Sequence, residues 1–311
     1  MSPKKKISIC HLSVVHGVYD TRIFFKECVS LSTVYDTHFI VKHAKDEKLY
    51  GVKIHALPFV KSRIKRFLIN APILFKKALA LKADIYHFHN PELIPYMLLI
   101  NKLGHKIIYD VHENVQADLL EKTWLPFRKQ TRKLYLYFEK QAIRKFHLVL
   151  AEESYIKLYK NRTNNYTLVQ NFVQPQLFMQ NPQTPDIYKD TLLVVGNLGG
   201  KRGLPKILDA LLLLKNTGLR VNLHCVGQVD EAVNEILRTS ESYMQIKEQV
   251  TFAGFRKLPD AYKNIENCFA GLALPEDIEN HRESFPTKMF EYMAAGLPVI
   301  CSDFPINRDV V

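Results

Sequence analysis

Three segments of the chain combine residue types that could handle a phosphorylated, hydroxyl-rich ligand. The first is Glu283-Ser284-Phe285-Pro286-Thr287-Lys288-Met289-Phe290-Glu291, in which two carboxylates flank a predicted loop-to-helix boundary. Ser284 is the expected N-cap, and Pro286 fits the first helical turn because its missing N–H would be unsatisfied there anyway. The N–H groups at such a terminus, together with the helix dipole, suit a phosphate. Glu291 falls about two turns further on, where a carboxylate could accept hydrogen bonds from ribose hydroxyls. Glu283, ahead of the helix, could reach a sugar. Spacing alone does not select this pair, since Glu113 and Glu121 share it; the strand-loop-helix setting does.

The second segment is Gly196-Asn197-Leu198-Gly199-Gly200-Lys201-Arg202-Gly203, a glycine-rich turn between a predicted strand and a predicted helix. Small residues let a diphosphate approach the backbone, and Lys201 or Arg202 can neutralise it. Many strand-to-helix turns carry glycine for steric reasons only, so this signal is weak alone. The third is Tyr109-Asp110-Val111-His112-Glu113-Asn114, which sets His112 at a strand end. A lone histidine there is more often structural than functional.

The elements that must position these residues alternate along the chain. Strands are predicted at 7–12, 38–41, 52–58, 84–88, 106–111, 147–151 and 166–169. Helices are predicted at 21–31, 63–81, 93–103 and 127–145. After a proline- and glutamine-rich stretch, strands at 191–195, 220–226, 250–252, 268–274 and 298–302 alternate with helices at 204–215, 230–247, 259–265 and 286–295. Strands separated by helix-length segments imply βαβ units and mostly parallel sheets covered on both faces. The expected organisation is a first Rossmann-like domain at 1–170, a linker at 171–190 and a second, incomplete Rossmann-like domain at 191–311. Ligands in open sheets of this class sit beyond the carboxyl ends of the strands.

Length and composition agree: 311 residues, 47% apolar and 24% charged, are globular values that suit two domains. No apolar run approaches the roughly 20 residues of a membrane span, and the N-terminus carries no cleavable signal pattern. Five cysteines without C-x-x-C spacing support neither a disulfide framework nor a cysteine zinc site. No G-x-G-x-x-G, Walker, H-E-x-x-H or G-x-S-x-G pattern occurs, which removes the main support for a dehydrogenase, P-loop NTPase, zincin or α/β-hydrolase.

Charge is unevenly spread. Residues 1–170 carry 29 Lys and Arg against 14 Asp and Glu, a net +15; residues 171–311 carry 14 against 17, a net −3. Basic clusters at Lys61, Arg63, Lys65 and Arg66, and at Arg128, Lys129, Arg132, Lys133, Lys140, Arg144 and Lys145, adjoin apolar residues on predicted helices. Such faces suit an anionic membrane surface, the alternative being ordinary solvated helix faces. No zinc-finger or RNP-type motif points to nucleic acid.

Segment 283–300 resembles the E-x7-E signature of family 4 retaining glycosyltransferases, which have the GT-B fold. The first half adds His16 with Asp20-Thr-Arg22-Ile-Phe-Phe-Lys26-Glu27, then His87-Phe-His89-Asn90-Pro91-Glu92, then Tyr109-Asp-Val-His112-Glu113. These blocks resemble the subgroup that serves bacterial capsule, exopolysaccharide and O-antigen synthesis, and the likeness runs over nearly the whole chain. It implies two Rossmann-like doubly wound domains facing a central cleft, with a UDP- or GDP-sugar donor on the second and a glycan or polyprenol-linked acceptor on the first. It assigns Glu291 to the ribose, Glu283 to the donor sugar as a catalytic residue, and Gly196, Asn197, Lys201, Arg202, Lys288, Ser284, Phe285 and Pro286 to the donor. His112 is the other catalytic assignment, near the donor sugar, and His16, Gly17, Asp20 and Arg22 are assigned to the acceptor side.

Asn197 departs from the pattern, standing where the family usually has Arg, and Arg202 stands where Lys is usual. Transfer by front-face chemistry needs no protein nucleophile and no essential metal, so none is expected, nor any tightly bound cofactor. A cytoplasmic protein lying on the inner membrane face is implied. Two other readings are a nucleotide-sugar epimerase of the same fold and an inactive, membrane-associated remnant. The chain ends after a strand and turn, where the family continues with a helix that crosses back to the first domain, so a truncated product is expected.

Overall fold

The computed structural model describes residues 6–116, 119, 127–175, 178, 190–258, 260–263 and 265–311. The chain divides into two compact units, Met1–Asn171 and Phe172–Val311. Most of the stretch read as a linker, and Glu121, lie outside the described residues.

The first unit contains β1 (Ser8–Gly17), α1 (Thr21–Cys28, wound as a π-helix and continued by Val29–Ser32), β2 (Asp36–Lys42), β3 (Glu47–Leu49) and β4 (Val52–Leu57). It continues with α2 (Arg63–Leu81), β5 (Ile85–Phe88), α3 (Ile94–Lys102), β6 (Lys106–Val111), α4 (Arg128–Lys145), β7 (His147–Leu150), α5 (Glu153–Tyr159) and β8 (Tyr166–Leu168). The sheet order is β3-β4-β2-β1-β5-β6-β7-β8, parallel throughout except for the β3–β4 pair. The chain moves outward from β1 through β2 to β4, then returns to the other side of β1 as β5. That reversal makes the carboxyl end of the β1–β5 pair the switch point, where this class of sheet opens a crevice.

The strands are apolar because both faces are covered. Cys10, Leu12, Val14, Tyr86, Phe88, Tyr109, Leu148 and Leu150 meet Leu74, Ala78, Met97 and Ile143 from the helices in one continuous core. The opposite face is a smaller cluster of Ile23, Phe24, Cys28, Phe39, Val41 and Ile54 under α1.

The second unit contains β9 (Thr191–Val195), α6 (Leu204–Asn216), β10 (Asn222–Val226), α7 (Glu231–Thr239), α8 (Glu241–Ile246), β11 (Val250–Phe252), β12 (Cys268–Ala273), α9 (Glu279–Arg282), α10 (Thr287–Ala294), β13 (Val299–Cys301) and α11 (Pro305–Arg308). Its sheet, β11-β10-β9-β12-β13, is parallel, with the switch point at β9–β12. One face is packed by α6 through Leu204, Ile207, Leu208 and Leu211. On the other, Tyr292 lies against Leu193, Val195 and Tyr262, with Phe178 in the same cluster. The α/β class and the parallel Rossmann-like sheets predicted from alternation are present in both units.

Three local expectations are corrected. The helix predicted over 230–247 is two helices, because Ser240 adopts an extended backbone and its side chain caps α8 at the Tyr243 N–H. The first strand runs to Gly17 rather than ending at residue 12. The N-cap of α10 is Pro286, not Ser284, and no side chain caps it. The short elements β3, α5, α9 and α11 carry too little periodicity to be predicted. No helix among the described residues is long and apolar enough to cross a membrane.

Candidate functional site

In the first unit, the sequence-selected residues converge on Asp110, at the carboxyl end of β6. Arg22 grips it with two hydrogen bonds, Nη2 to Oδ1 at 2.8 Å and Nε to Oδ2 at 3.2 Å. The fork geometry matches a carboxylate and holds α1 against the sheet. Arg22 also donates to the Val169 carbonyl at 3.2 Å. Asp20 caps α1, accepting from the Arg22 and Ile23 N–H groups at 3.0 and 2.9 Å, while its other oxygen meets His16 Nδ1 at 3.0 Å. His16 in turn lies edge-on to His112, ring centres 5.3 Å apart. Thus His16, Asp20, Arg22 and His112 form one cluster. Gly17 ends β1 beside them, and a Cβ there would meet nothing within 4 Å, so steric need does not account for it.

His112 Nδ1 is 3.4 Å from Asp110 Oδ2. Burial works against an imidazolium there, but the Asp110 charge, with Glu113 behind it, prevails and raises the pKa above the ordinary histidine value. Asp110 itself is fully buried; against that burial, the neighbouring histidines and Arg22 hold it well below the usual carboxylate range.

Sequence reasoning missed part of this cluster. His11, His87 and His89 lie together on the same side of the sheet, with ring centres 4.7 Å apart for the tilted pairs His11–His87 and His87–His89 and 5.3 Å apart for the stacked pair His11–His89. His11 pairs with His87 in the β1–β5 register. His89, two residues on, shares the face of His87 because successive strand residues alternate. The signal was the H-x-H run at 87–89; its partner on β1 has no local signature.

In the second unit, the glycine-rich turn follows β9 at the switch point. Gly196 has φ 132°, and a Cβ there would press within 3.3 Å of Lys288 Cε. Gly203 has φ 82°, and a Cβ would strike the Leu274 carbonyl oxygen at 1.9 Å, so only glycine brings α6 this close to the end of β12. Asn197, Lys201 and Arg202 are exposed, the latter two in a single 3-10 turn, Gly200–Arg202.

Glu291 is buried, and its Oε2 accepts from Tyr262 Oη at 2.7 Å and from Lys288 Nζ at 2.5 Å. Lys288, expected at a diphosphate, is therefore also the counter-ion of Glu291. Glu283 is exposed at the C-cap of α9, and Ser284 is half-buried just beyond it. Phe285 stacks on Phe290, ring centres 5.2 Å apart, and both meet Phe172 edge-on, which fixes the entry into α10. A surface cavity of about 720 Å³ opens nearby, lined by Lys206, Ile207, Leu274, Pro275, Ser302 and Phe304 among others. None of the residues selected from sequence lines it.

Residues 179–311 match the family described as Glycosyl transferases group 1. The fold agrees over the whole chain. Sucrose-phosphate synthase from Thermosynechococcus elongatus superimposes with TM-score 0.69 at 15% identity, over 96% of this chain and 82% of that one. WaaG, a glycosyltransferase involved in lipopolysaccharide biosynthesis, gives 0.68 at 13% identity, over 98% and 83%. HepE from Anabaena, in complex with UDP and glucose, gives 0.64 at 13% identity, over 98% and 83%. No curated protein sequence matches the chain. The chain thus has the α/β fold of GT-B glycosyltransferase structures, and the family match falls on its second unit.

Proposed function

We propose that the protein transfers a sugar, with retention, from a nucleoside-diphosphate sugar to a glycan or polyprenol-linked acceptor in surface polysaccharide synthesis. The observation that carries this reading is the pairing of a glycine-only turn after β9 with Glu291 and Lys288 on α10, inside the segment that matches the glycosyltransferase family. Gly196 gives the backbone clearance for a diphosphate, while Asn197, Lys201, Arg202 and Lys288 surround its approach. Glu291 is held by Tyr262 and Lys288 with its remaining lone pairs available to ribose hydroxyls. The uncapped start of α10 at Pro286, with Ser284 and Phe285 ahead of it, adds oriented backbone dipoles. Glu283 is assigned to the donor sugar hydroxyls.

On the first unit, His112 is assigned to the donor sugar, and His16, Gly17, Asp20 and Arg22 to the acceptor side. In the transfer, the bond from the anomeric carbon to the diphosphate oxygen breaks. A bond from that carbon to the acceptor oxygen forms on the same face, and the acceptor proton passes to the departing phosphate. Positioning and charge stabilisation at the leaving group supply the catalysis. UDP is the first donor base to test, because UDP and glucose occupy the structurally similar HepE. The basic helices would hold the enzyme at the cytoplasmic membrane surface, near a lipid-linked acceptor.

A thermal-shift panel of UDP, GDP, ADP and their sugars tests the donor site. A ligand at 100 times its Kd stabilises by about 2.7 kcal/mol. One diphosphate should raise Tm in the wild-type chain and fail to do so in Glu291→Ala. Equal shifts in both proteins, or none with any nucleotide, would reject the assignment.

A further inference from the structure

Beside the Asp110 cluster, and outside everything assigned to sugar transfer, lies a group of four side chains from three elements: His11 on β1, His87 and His89 at the end of β5, and Glu27 on α1. Each offers one ligand atom, and all four atoms lie within 4.8 Å of one another. Glu27 Oε2 is 3.8 Å from His11 Nδ1, 3.9 Å from His87 Nδ1 and 3.8 Å from His89 Nε2. His11 Nδ1 and His89 Nε2 are 3.1 Å apart. Ligands about 2.0–2.1 Å from a tetrahedral ion stand roughly 3.4 Å from one another; these four edges lie within about 0.5 Å of that, and the two edges from His87 to the other imidazoles stay within 4.8 Å.

We propose that His11, His87, His89 and Glu27 form a four-coordinate site for a borderline divalent cation of the zinc type. The site lies at the switch point of the first sheet, with a structural role in fastening α1 to β1 and β5.

Four independent observations support it. Both Glu27 oxygens are buried without a hydrogen-bond partner, as are His11 Nε2 and His87 Nε2. A carboxylate left this way is costly unless it neutralises or binds a cation; the charges of Arg22, whose Nε lies 3.2 Å from Oε1, and of Lys26 act on it, while Oε2 faces the three imidazoles.

The second shell is already in place. His89 Nδ1 donates to Asp110 Oδ2 at 2.9 Å, which fixes the tautomer and leaves Nε2 as an acceptor facing His11 Nδ1 at 3.1 Å. Charge is also accommodated, since the carboxylates of Glu27 and Asp110 balance a divalent ion and Arg22 adds one positive charge beside them. Finally, Glu27 is delivered by a π-helix, a rare winding seen here in the Phe25 N–H bond to the Asp20 carbonyl and common at functional positions. Metal entry requires Glu27 to be ionised and His11 to move its proton from Nδ1 to the unpartnered Nε2.

The test uses the full chain without a histidine tag, stripped with chelator and titrated with zinc against a chromophoric competitor. One equivalent should bind, and Glu27→Gln and His87→Gln should each weaken binding at least tenfold. Asp110→Asn should weaken it 10- to 100-fold through His89. His38→Gln, in the separate pair where His38 Nδ1 sits 2.9 Å from His55 Nε2, should leave it unchanged. Absence of one-equivalent binding, equal affinity in Glu27→Gln and His87→Gln, or loss confined to His38→Gln would overturn the proposal. Cobalt loading of the wild-type chain decides the matter even where a variant fails to fold. An intense tetrahedral visible spectrum is expected, and a weak octahedral one would overturn the four-ligand site.

Discussion

At the scale of single residues, the first unit shows how one side chain can serve both fold and site. Asp20 closes the start of α1 and holds His16. Burial would raise its pKa, but the His16 hydrogen bond and charge and the Ile23 N–H lower it below the ordinary aspartate value. A depressed folded-state pKa contributes stability above the unfolded value of about 3.9, and that contribution is lost as pH falls through the folded value. Asp20→Ala should therefore unfold more easily by about 1 kcal/mol at neutral pH, the usual worth of a lost N-cap. The gap between variant and wild type should shrink steadily below pH of about 4. Urea melts at several pH values check this; a gap that persists unchanged into acid would show that the carboxylate charge is not the source. Asp20, Arg22 and His16 could be named from the sequence because the motif is contiguous. Asp110 as the hub could not, because Arg22 reaches it across 88 positions, and no local pattern encodes that pairing.

At the scale of elements, α4 shows how a basic helix can also carry a core. Glu139 on its inner side is fully buried yet accepts four hydrogen bonds: from Tyr135 at 2.7 Å, Tyr159 at 2.8 Å, Gln116 at 3.0 Å and Arg162 at 2.7 Å. This carboxylate ties α4 to α5 and the turn after it. Removing it leaves the buried Tyr159 hydroxyl and the half-buried Tyr135 hydroxyl without their acceptor, while Arg162 is exposed and can turn to water; stranding buried donors in this way costs about 2–3 kcal/mol. Glu139→Ala should lose roughly that amount in denaturant unfolding, whereas Lys140→Ala, one residue on and exposed, should change stability by less than about 0.5 kcal/mol. Equal effects at the two positions would refute a structural role for Glu139. The alternation of strands and helices was legible from periodicity, and α2, β6, β9 and β11 fall where the pattern places them. The break at Ser240 was not, because a serine reads equally well inside a polar helix face or as a cap. The short β3, α5, α9 and α11 are set by tertiary packing rather than by a repeat long enough to detect.

At the scale of the molecule, charge and function meet in the contrast of +15 on residues 1–170 against −3 on residues 171–311. Much of that excess stands on two helices that also expose apolar side chains: Phe67, Leu68 and Ile69 on α2, and Leu134 and Tyr137 on α4, beside Lys65, Lys133, Lys140 and Arg144. A helix with exposed aromatics and lysines on one side combines the two attractions that hold a protein on an anionic bilayer. Each basic residue near the surface contributes about 1 kcal/mol, an electrostatic attraction that salt weakens. The unmodified chain should co-sediment with vesicles containing phosphatidylglycerol and stay in solution with phosphatidylcholine alone. Charge reversal at Lys133, Lys140 and Arg144 should release it, as should high salt, while the nucleotide-induced Tm shift stays intact because the residues assigned to the nucleotide and its diphosphate lie in the other unit. Binding to both vesicle types alike, or binding that survives charge reversal, would mean that the basic excess is only a solvated surface. The acceptor would then have to be sought among soluble glycans.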